Sequence, residues 1–349
     1  MTYKYQNVSP ESNYNRQYYH TLDNVYVKQL DTNEYIEVFH DFKKVVAGVD
    51  NGVQLNGNPD KVYDDIITKD SIVEDEYIDE DVFLFFDQAG QNYIHFFFNM
   101  FCKCFYYDEL IKTNPTIKFG ILESFYQDSG NYSFIKDWLN LYYKDLNIVV
   151  FKKDTQYKVK NLILPNGFYS FPEGHGYNSI LRKIIETASK VEPIQTKSDK
   201  VYISRQDTIK RGWYHNRILT NELELIDKLQ SELNYDIVEL MDYDIIGKIK
   251  IFKSYKYILQ QSSASNMNIL FSGKGITNII LAHPLMEGWL GYHSSNFAKA
   301  SLSNLIMLSD GGTLLPELKD PSVTDPNNCP WELSNIGGII ETLKSQIHE

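Results

Sequence analysis

Two hydrophobic patterns alternate along the chain. Short, continuous apolar runs suit strands buried on both faces of a sheet. Longer stretches with apolar residues three or four apart suit amphipathic helices. The runs include DVFLFFD (81–87), TIKFGIL (116–122), NIVVF (147–151) and VKNLILP (159–165). Between and after them, NYIHFFFNMFCKCFYYDEL (92–110), FIKDWLNLYYKDL (134–146) and YNSILRKIIETASKV (177–191) carry the helical spacing.

The polar, proline-bearing stretch PIQTKSDK (193–200) interrupts this rhythm, which then resumes. KVYISR, DIVEL, YKYILQ, TNIILA and NLIMLS read as strands, and LTNELELIDKLQSEL, DIIGKIKIFKS and SASNMNILFS as helices. Leu219, Leu223, Ile226, Leu229 and Leu233 fall on one stripe of the first of these helices. From Trp331 to His348 the pattern is that of a terminal helix broken at Gly337-Gly338. Upstream, NVYVKQL, YIEVFH, KVVAGV and GVQL are short β-like pieces separated by turn signals such as Asp50-Asn51-Gly52. Strands alternating with helices predict an α/β protein with mainly parallel sheets.

The expected organisation is a poorly ordered N-terminus (1–20), a first α/β domain (21–192), a second (200–335) and a C-terminal helix (336–349) free to pack back on the first domain. Ligands of such sheets gather beyond the carboxyl ends of the strands. The cleft between two such domains is the default site.

Composition sharpens this picture in three places. At 349 residues the chain exceeds one ordinary core, and its 43% apolar content is enough to fold it. A net charge of -12 argues against general nucleic-acid binding. Aromatics at 14%, led by 26 tyrosines, allow ring-walled grooves of the kind that suit sugars and bases. Much of the acidity sits in DDIITKDSIVEDEYIDED (64–81), expected to be a solvated, mobile face. Cys102, Cys104 and Cys329 form neither a disulfide framework nor a zinc cluster, which suits a reducing compartment. Neither a signal peptide nor an apolar run long enough to span a membrane is recognisable.

Against that acidic background, Arg205, Lys210, Arg211, His215 and Arg217 crowd onto one strand-to-helix connection. Arginine matches phosphate with a planar, permanently charged fork, and a helix start adds free N–H groups. The connection therefore suits a diphosphate. Surface cations pairing with the acidic run would give the same composition. Asn221, with Glu224 three residues on, has the pattern of a helix cap.

Three further constellations stand out. Ser262, Ser263, Ala264 and Ser265 follow a strand and open a helix that carries Asn268, which suits phosphate or ribose, or an ordinary serine-capped turn. Asn92, His95 and Asn99 would share one helical face, although a lone histidine among aromatics is more often a core residue. Glu173 and His175 lie on a Gly/Pro loop and could each serve as a general base, or simply line a turn. Asp242-Tyr243-Asp244 has metal-motif spacing, but Asp244 is more simply a cap. No Walker A sequence, Gly-rich dinucleotide fingerprint or zinc spacing is present.

Taken together, these residues resemble glycosyltransferase family 61 over roughly 20–310. Tyr93-Ile94-His95 matches the family's Tyr-x-His helix opening, and Ser204-Arg205, Arg217 and Asn221-Glu222 match its strand-to-helix segment. Ala264, Asn268 and Phe271 match its His-Gly-Ala-x-Leu-x-Asn-x-x-Phe segment, where Ser262, Ser263 and Asn266 depart from it. The position of a later family Glu holds Ile280.

The resemblance implies a GT-B-like fold, two facing Rossmann-like domains with a cleft between them. It implies inverting transfer from a nucleotide sugar, UDP-linked by preference, to a glycan or lipid-linked glycan in surface polysaccharide synthesis, with no bound metal ion and no cofactor. Arg205, Arg211, Arg217, Asn221, Ser262, Ser263 and Asn268 would then serve the donor. His95, Glu173 and His175 are the base candidates, with His95 first by motif. A cytoplasmic location, with peripheral membrane contact and a homodimer both open, fits the missing anchor. A polysaccharide pyruvyl transferase, or a silent sugar-binding scaffold of the same fold, are the rival readings.

Overall fold

The computed structural model of the chain describes residues 19–29, 36–40, 43–46, 76–86, 90, 92–126, 133–153, 155–165, 175–210, 217–285, 287–309, 312–315 and 329–348. The chain divides into two compact units, Met1–Lys183 and Ile184–Glu349. Both are α/β.

The first unit is built on strands β1 (Tyr19–Gln29), β2 (Ile36–His40), β3 (Lys43–Val46), β4 (Glu76–Phe85), β5 (Lys118–Leu122), β6 (Ile148–Phe151) and β7 (Gln156–Pro165). Their order in the sheet is β3-β2-β1-β7-β4-β5-β6. Strands β4 to β7 pair with one another in parallel, and β1 joins β7 and β2 antiparallel. The helices are α1 (Tyr93–His95), α2 (Cys104–Thr113) and α3 (Ser133–Tyr142), and the division between the units falls within α4 (His175–Ser189). Aromatic rings fill the core: Phe85 lies 4.8 Å from Phe119, and Phe97 meets the fully buried Trp138 edge-on at 5.1 Å.

The expected single helix over 92–110 is interrupted. Asn92 caps α1 by accepting the amide of Ile94 at 3.1 Å. The chain then widens into a π turn, Phe96–Met100, and tightens into a 3₁₀ turn, Phe101–Lys103, before α2 begins. Phe96, Phe97, Met100 and Phe101 are all buried, so adjacent as well as helically spaced side chains of this segment are seated in the core. The π turn shifts the helical phase that seating requires. The side chain of Asn99, expected on one face with Asn92 and His95, lies outside the described residues.

The acidic run is also corrected in part. Residues 64–75 lie outside the described residues, but 76–81 belong to β4. Lys152, Lys160 and Lys118 pair with Glu76, Asp79 and Glu80 at 3.6, 3.0 and 3.4 Å. Asp81 accepts the side-chain amides of Asn114 and Asn161, both at 2.7 Å. This end of the run is solvated, but it is paired strand.

The second unit holds β8 (Lys200–Ser204), β9 (Asp236–Glu239), β10 (Tyr257–Gln261), β11 (Thr277–Leu281) and β12 (Asn304–Leu308). Their order is β12-β11-β10-β8-β9, and every pairing is parallel. Helices α5 (Gln206–Lys210), α6 (Glu222–Leu233), α7 (Ile245–Ser254), α8 (Glu287–Ser301) and α9 (Ile336–His348) surround it, with a short hairpin of β13 (Thr313–Leu314) and β14 (Trp331–Glu332).

In α6 the buried line is Leu225, Leu229 and Leu233, whereas Leu223 from the expected stripe is 66% exposed. That line packs with Ile336, Ile339, Ile340 and Leu343 of α9. The C-terminal pattern also differs from expectation. Trp331 is in β14, and α9 runs unbroken through its two glycines. Asn335 accepts the amide of Gly338 at 2.8 Å, so the glycines lie in a capped first turn. Among the described residues no helix is long and apolar enough to cross a membrane.

Candidate anion-binding site

Parallel register brings three strand ends of the second unit to one edge. Strand β8 ends at Ser204, β10 at Gln261 and β11 at Leu281. The residues just beyond them are Arg205, Ser262 and the pair Ala282-His283. Two of these connections are stitched together: the Ser262 amide donates to Leu281 at 3.0 Å, and the His283 amide donates to the Ser262 hydroxyl at 3.2 Å.

The connection after β8 is organised by Glu222, the first residue of α6. Its carboxylate is buried, 1% exposed, and accepts three hydrogen bonds. They come from the Tyr202 hydroxyl (2.9 Å), the Arg205 amide (2.9 Å) and the Gln206 side chain (2.8 Å). Gln261 from β10 donates to Tyr202 in turn, at 2.8 Å. A buried carboxylate with several donors is well compensated. Here it fixes the backbone from which the Arg205 side chain departs.

Arg205 itself is not compensated in this way. Its Nη1 is buried and has no hydrogen-bond partner among the described residues. Burial, then the nearby Arg217 cation, pulls its guanidinium down to about 10, against the opposing pull of Glu222 and Asp207. It stays charged at neutral pH. A buried, charged donor without an acceptor is costly in isolation and is what an anion would satisfy.

Arg217 stands in the left-handed region at φ 54. That conformation costs a non-glycine residue roughly 1–2 kcal/mol, so the surroundings must hold it. His283 is fully buried. Its Nδ1 accepts the amide of Leu285 at 3.2 Å, which leaves Nε2 to donate to the Cys329 carbonyl at 3.0 Å. Burial lowers its pKa, and the Arg217 and Arg205 cations add to that. The imidazole is therefore neutral at neutral pH. Sequence reasoning passed over His283. Its only signal was its place just past the end of a parallel strand.

The other expected donor-side residues are placed as follows. The Asn221 amide donates to Leu333 O and accepts from Leu333 N, both at 3.0 Å, and makes no cap bond to α6. The expected Asn221 cap is thus replaced by a latch to the C-terminal segment. Ser263 caps a 3₁₀ run, Ala264–Phe271, and forms a capping box with Asn266. Ser262 and Asn268 are buried in the same connection. Lys210 pairs with Glu239 at 2.6 Å, an exposed ion pair within the second unit rather than one with the acidic run. Asp244 caps α7 through the Gly247 amide at 2.7 Å. Arg211 and His215 lie outside the described residues.

In the first unit, His95 closes α1 and is partly buried. Glu173 lies outside the described residues; His175 opens α4, with its side chain undescribed. Lys103, which sequence reasoning missed, is fully buried, and its ammonium donates to the Phe86 carbonyl just past β4.

A comparison with curated proteins finds no match. The model of the family described as Glycosyltransferase 61 matches residues 93–280. That span opens at the Tyr93-Ile94-His95 turn, takes in Arg205, Arg217 and Glu222, and closes at Ile280. Covering more than half of the chain, it shows that the protein belongs to glycosyltransferase family 61.

Proposed function

We propose that this glycosyltransferase inverts the anomeric centre as it moves a sugar from a nucleotide-sugar donor, UDP-linked by preference, to a glycan acceptor. The acceptor would belong to surface polysaccharide or glycan synthesis in the cytoplasm. One observation carries the donor half of this reading. Among the described residues the buried Arg205 Nη1 lacks a hydrogen-bond partner, beside a second cation, at the carboxyl edge of an all-parallel sheet. Such an edge is where α/β sheets bind ligands, and a diphosphate is the anion that two adjacent guanidinium groups fit.

The chemistry needs few groups. As the glycosidic bond to the leaving diphosphate breaks, negative charge grows on the phosphate oxygens, and Arg205 and Arg217 would stabilise it there. Glu222 would hold Arg205 in place before the reaction begins, so little reorganisation is needed at the barrier. A base from the first unit would take the acceptor hydroxyl proton, with His95 the leading candidate and Glu173 and His175 behind it. The reading includes the GT-B arrangement that the family resemblance implies and needs no metal ion.

The test is release of nucleoside diphosphate from a panel of UDP-, GDP- and TDP-sugars, and of CMP from a CMP-sugar, with oligosaccharide acceptors, with and without chelator. Activity that survives chelation and falls on the order of 10²–10³-fold in Arg205→Ala supports the reading. Equal turnover by wild type and Arg205→Ala would remove the donor site from this edge of the sheet.

A further inference from the structure

The segment 329–333 is hydrogen-bonded to the residues from Arg217 to Asn221 and to His283. Trp331 is buried, 1% exposed, and its indole Nε1–H donates to the Arg217 carbonyl at 3.2 Å. Its backbone N–H donates to Ile218 at 2.9 Å, and its carbonyl accepts from Thr220 at 2.9 Å, making a parallel bridge with Leu219. Leu333 exchanges two hydrogen bonds with Asn221, and the Cys329 carbonyl accepts from His283. The Trp331 ring also meets the His283 ring edge-on at 5.6 Å. One short strap therefore holds the peptide of Arg217, the entry to α6 and the neutral histidine beside both arginines.

We propose that Trp331 is a positioning residue for the anion site. Its indole N–H, by fixing the Arg217 carbonyl, keeps Arg217 in the left-handed conformation that holds its guanidinium beside that of Arg205. The argument rests on three facts. Arg217 has an unfavourable φ that needs an external hold. The bond from the indole acts on that residue's own peptide. The Arg217 cation acts electrostatically on both Arg205 and His283, which puts it on the site's side of the loop. Trp331 lies beyond the residues matched by the family model, which end at Ile280. The inference rests on the reading of this edge as a diphosphate site.

The test is a double-mutant cycle read by calorimetry, with inorganic pyrophosphate and then UDP as probes. The proteins are the full chain, Trp331→Phe, Arg217→Ala and the double variant, each checked by thermal unfolding. Trp331→Phe keeps an apolar ring and removes the N–H. Loss of one such bond should weaken pyrophosphate about five-fold. Arg217→Ala should weaken it more, and the double variant no more than Arg217→Ala alone, because the indole acts through Arg217. Unchanged affinity in Trp331→Phe, or a further five-fold loss in the double variant, overturns the proposal. If Trp331→Phe fails to fold, Asn221→Ala, which releases the strap at Leu333, carries the same prediction in the same cycle. Absence of binding by the folded wild type is a different failure: it removes the diphosphate reading, and this inference with it.

Discussion

The Tyr202 hydroxyl donates to the Glu222 carboxylate at 2.9 Å, tying the middle of β8 to the first turn of α6. Gln261 extends the tie to β10. Three sequence-distant elements are thus joined by side chains, and Glu222 also accepts the Arg205 amide, so the position of that arginine depends on a buried polar network. Such networks are strong when every member is satisfied and costly when one is removed.

Glu222→Gln should therefore destabilise the protein by about 1–3 kcal/mol, because an amide can offer only one acceptor oxygen to three donors. Chemical denaturation would measure it. Arg205 also loses the nearby negative charge, so nucleotide affinity should fall beyond what the lost stability explains. A variant as stable as wild type would show that Glu222 is not the organiser of this connection.

Much of the architecture was legible because buried parallel strands announce themselves as continuous apolar runs. DVFLF, KVYIS and TNIIL all lie in strands, and helical patterns follow them. The arginine connection was legible because its cations crowd together in a chain of net negative charge. The π turn after His95 was not, since it answers a packing demand of several rings rather than any local spacing. His283 and Trp331 were not legible either. Their roles arise from parallel register and from a strap that returns from 46 residues beyond His283, and neither relation leaves a local pattern. The strand at 76–81 was hidden because its exposed half is charged, so it carries no apolar run.

His283 makes a prediction about acid. Its folded pKa lies below its ordinary value of about 6.5, so below that value the unfolded chain binds a proton the native state resists. Stability should be level above about pH 7 and decline as pH falls through 6.5 toward the lower folded value. Thermal unfolding across this range should show a shallower decline for His283→Gln than for wild type. Identical slopes would mean that His283 titrates normally.

Leu302 should be improvable. It is 71% exposed, stands at φ 58 and follows α8, where its amide donates to Lys299 and that of Ser303 to Ala298. This is a helix end that glycine suits. Leu302→Gly should raise stability by about 1 kcal/mol by removing the left-handed penalty. A lower melting point would contradict the assignment of strain there.

Gly120 is the opposite case. A Cβ there would lie 2.6 Å from Val82 Cγ1 and 2.7 Å from the Phe151 ring, on β5 between β4 and β6. Gly120→Ala should cost about 1–3 kcal/mol through overpacking. Denaturation with unchanged midpoint would show that β4, β5 and β6 are more loosely packed than described.

The most direct measurement is a calorimetric titration of the wild-type protein and Arg205→Ala with UDP, GDP, CMP and TDP, without metal and again with Mn²⁺. The account predicts that at least one nucleotide binds without metal, and that affinity falls about ten-fold or more when Arg205 is lost. A folded protein that binds none of them, or an Arg205→Ala variant that binds as tightly as wild type, would contradict it.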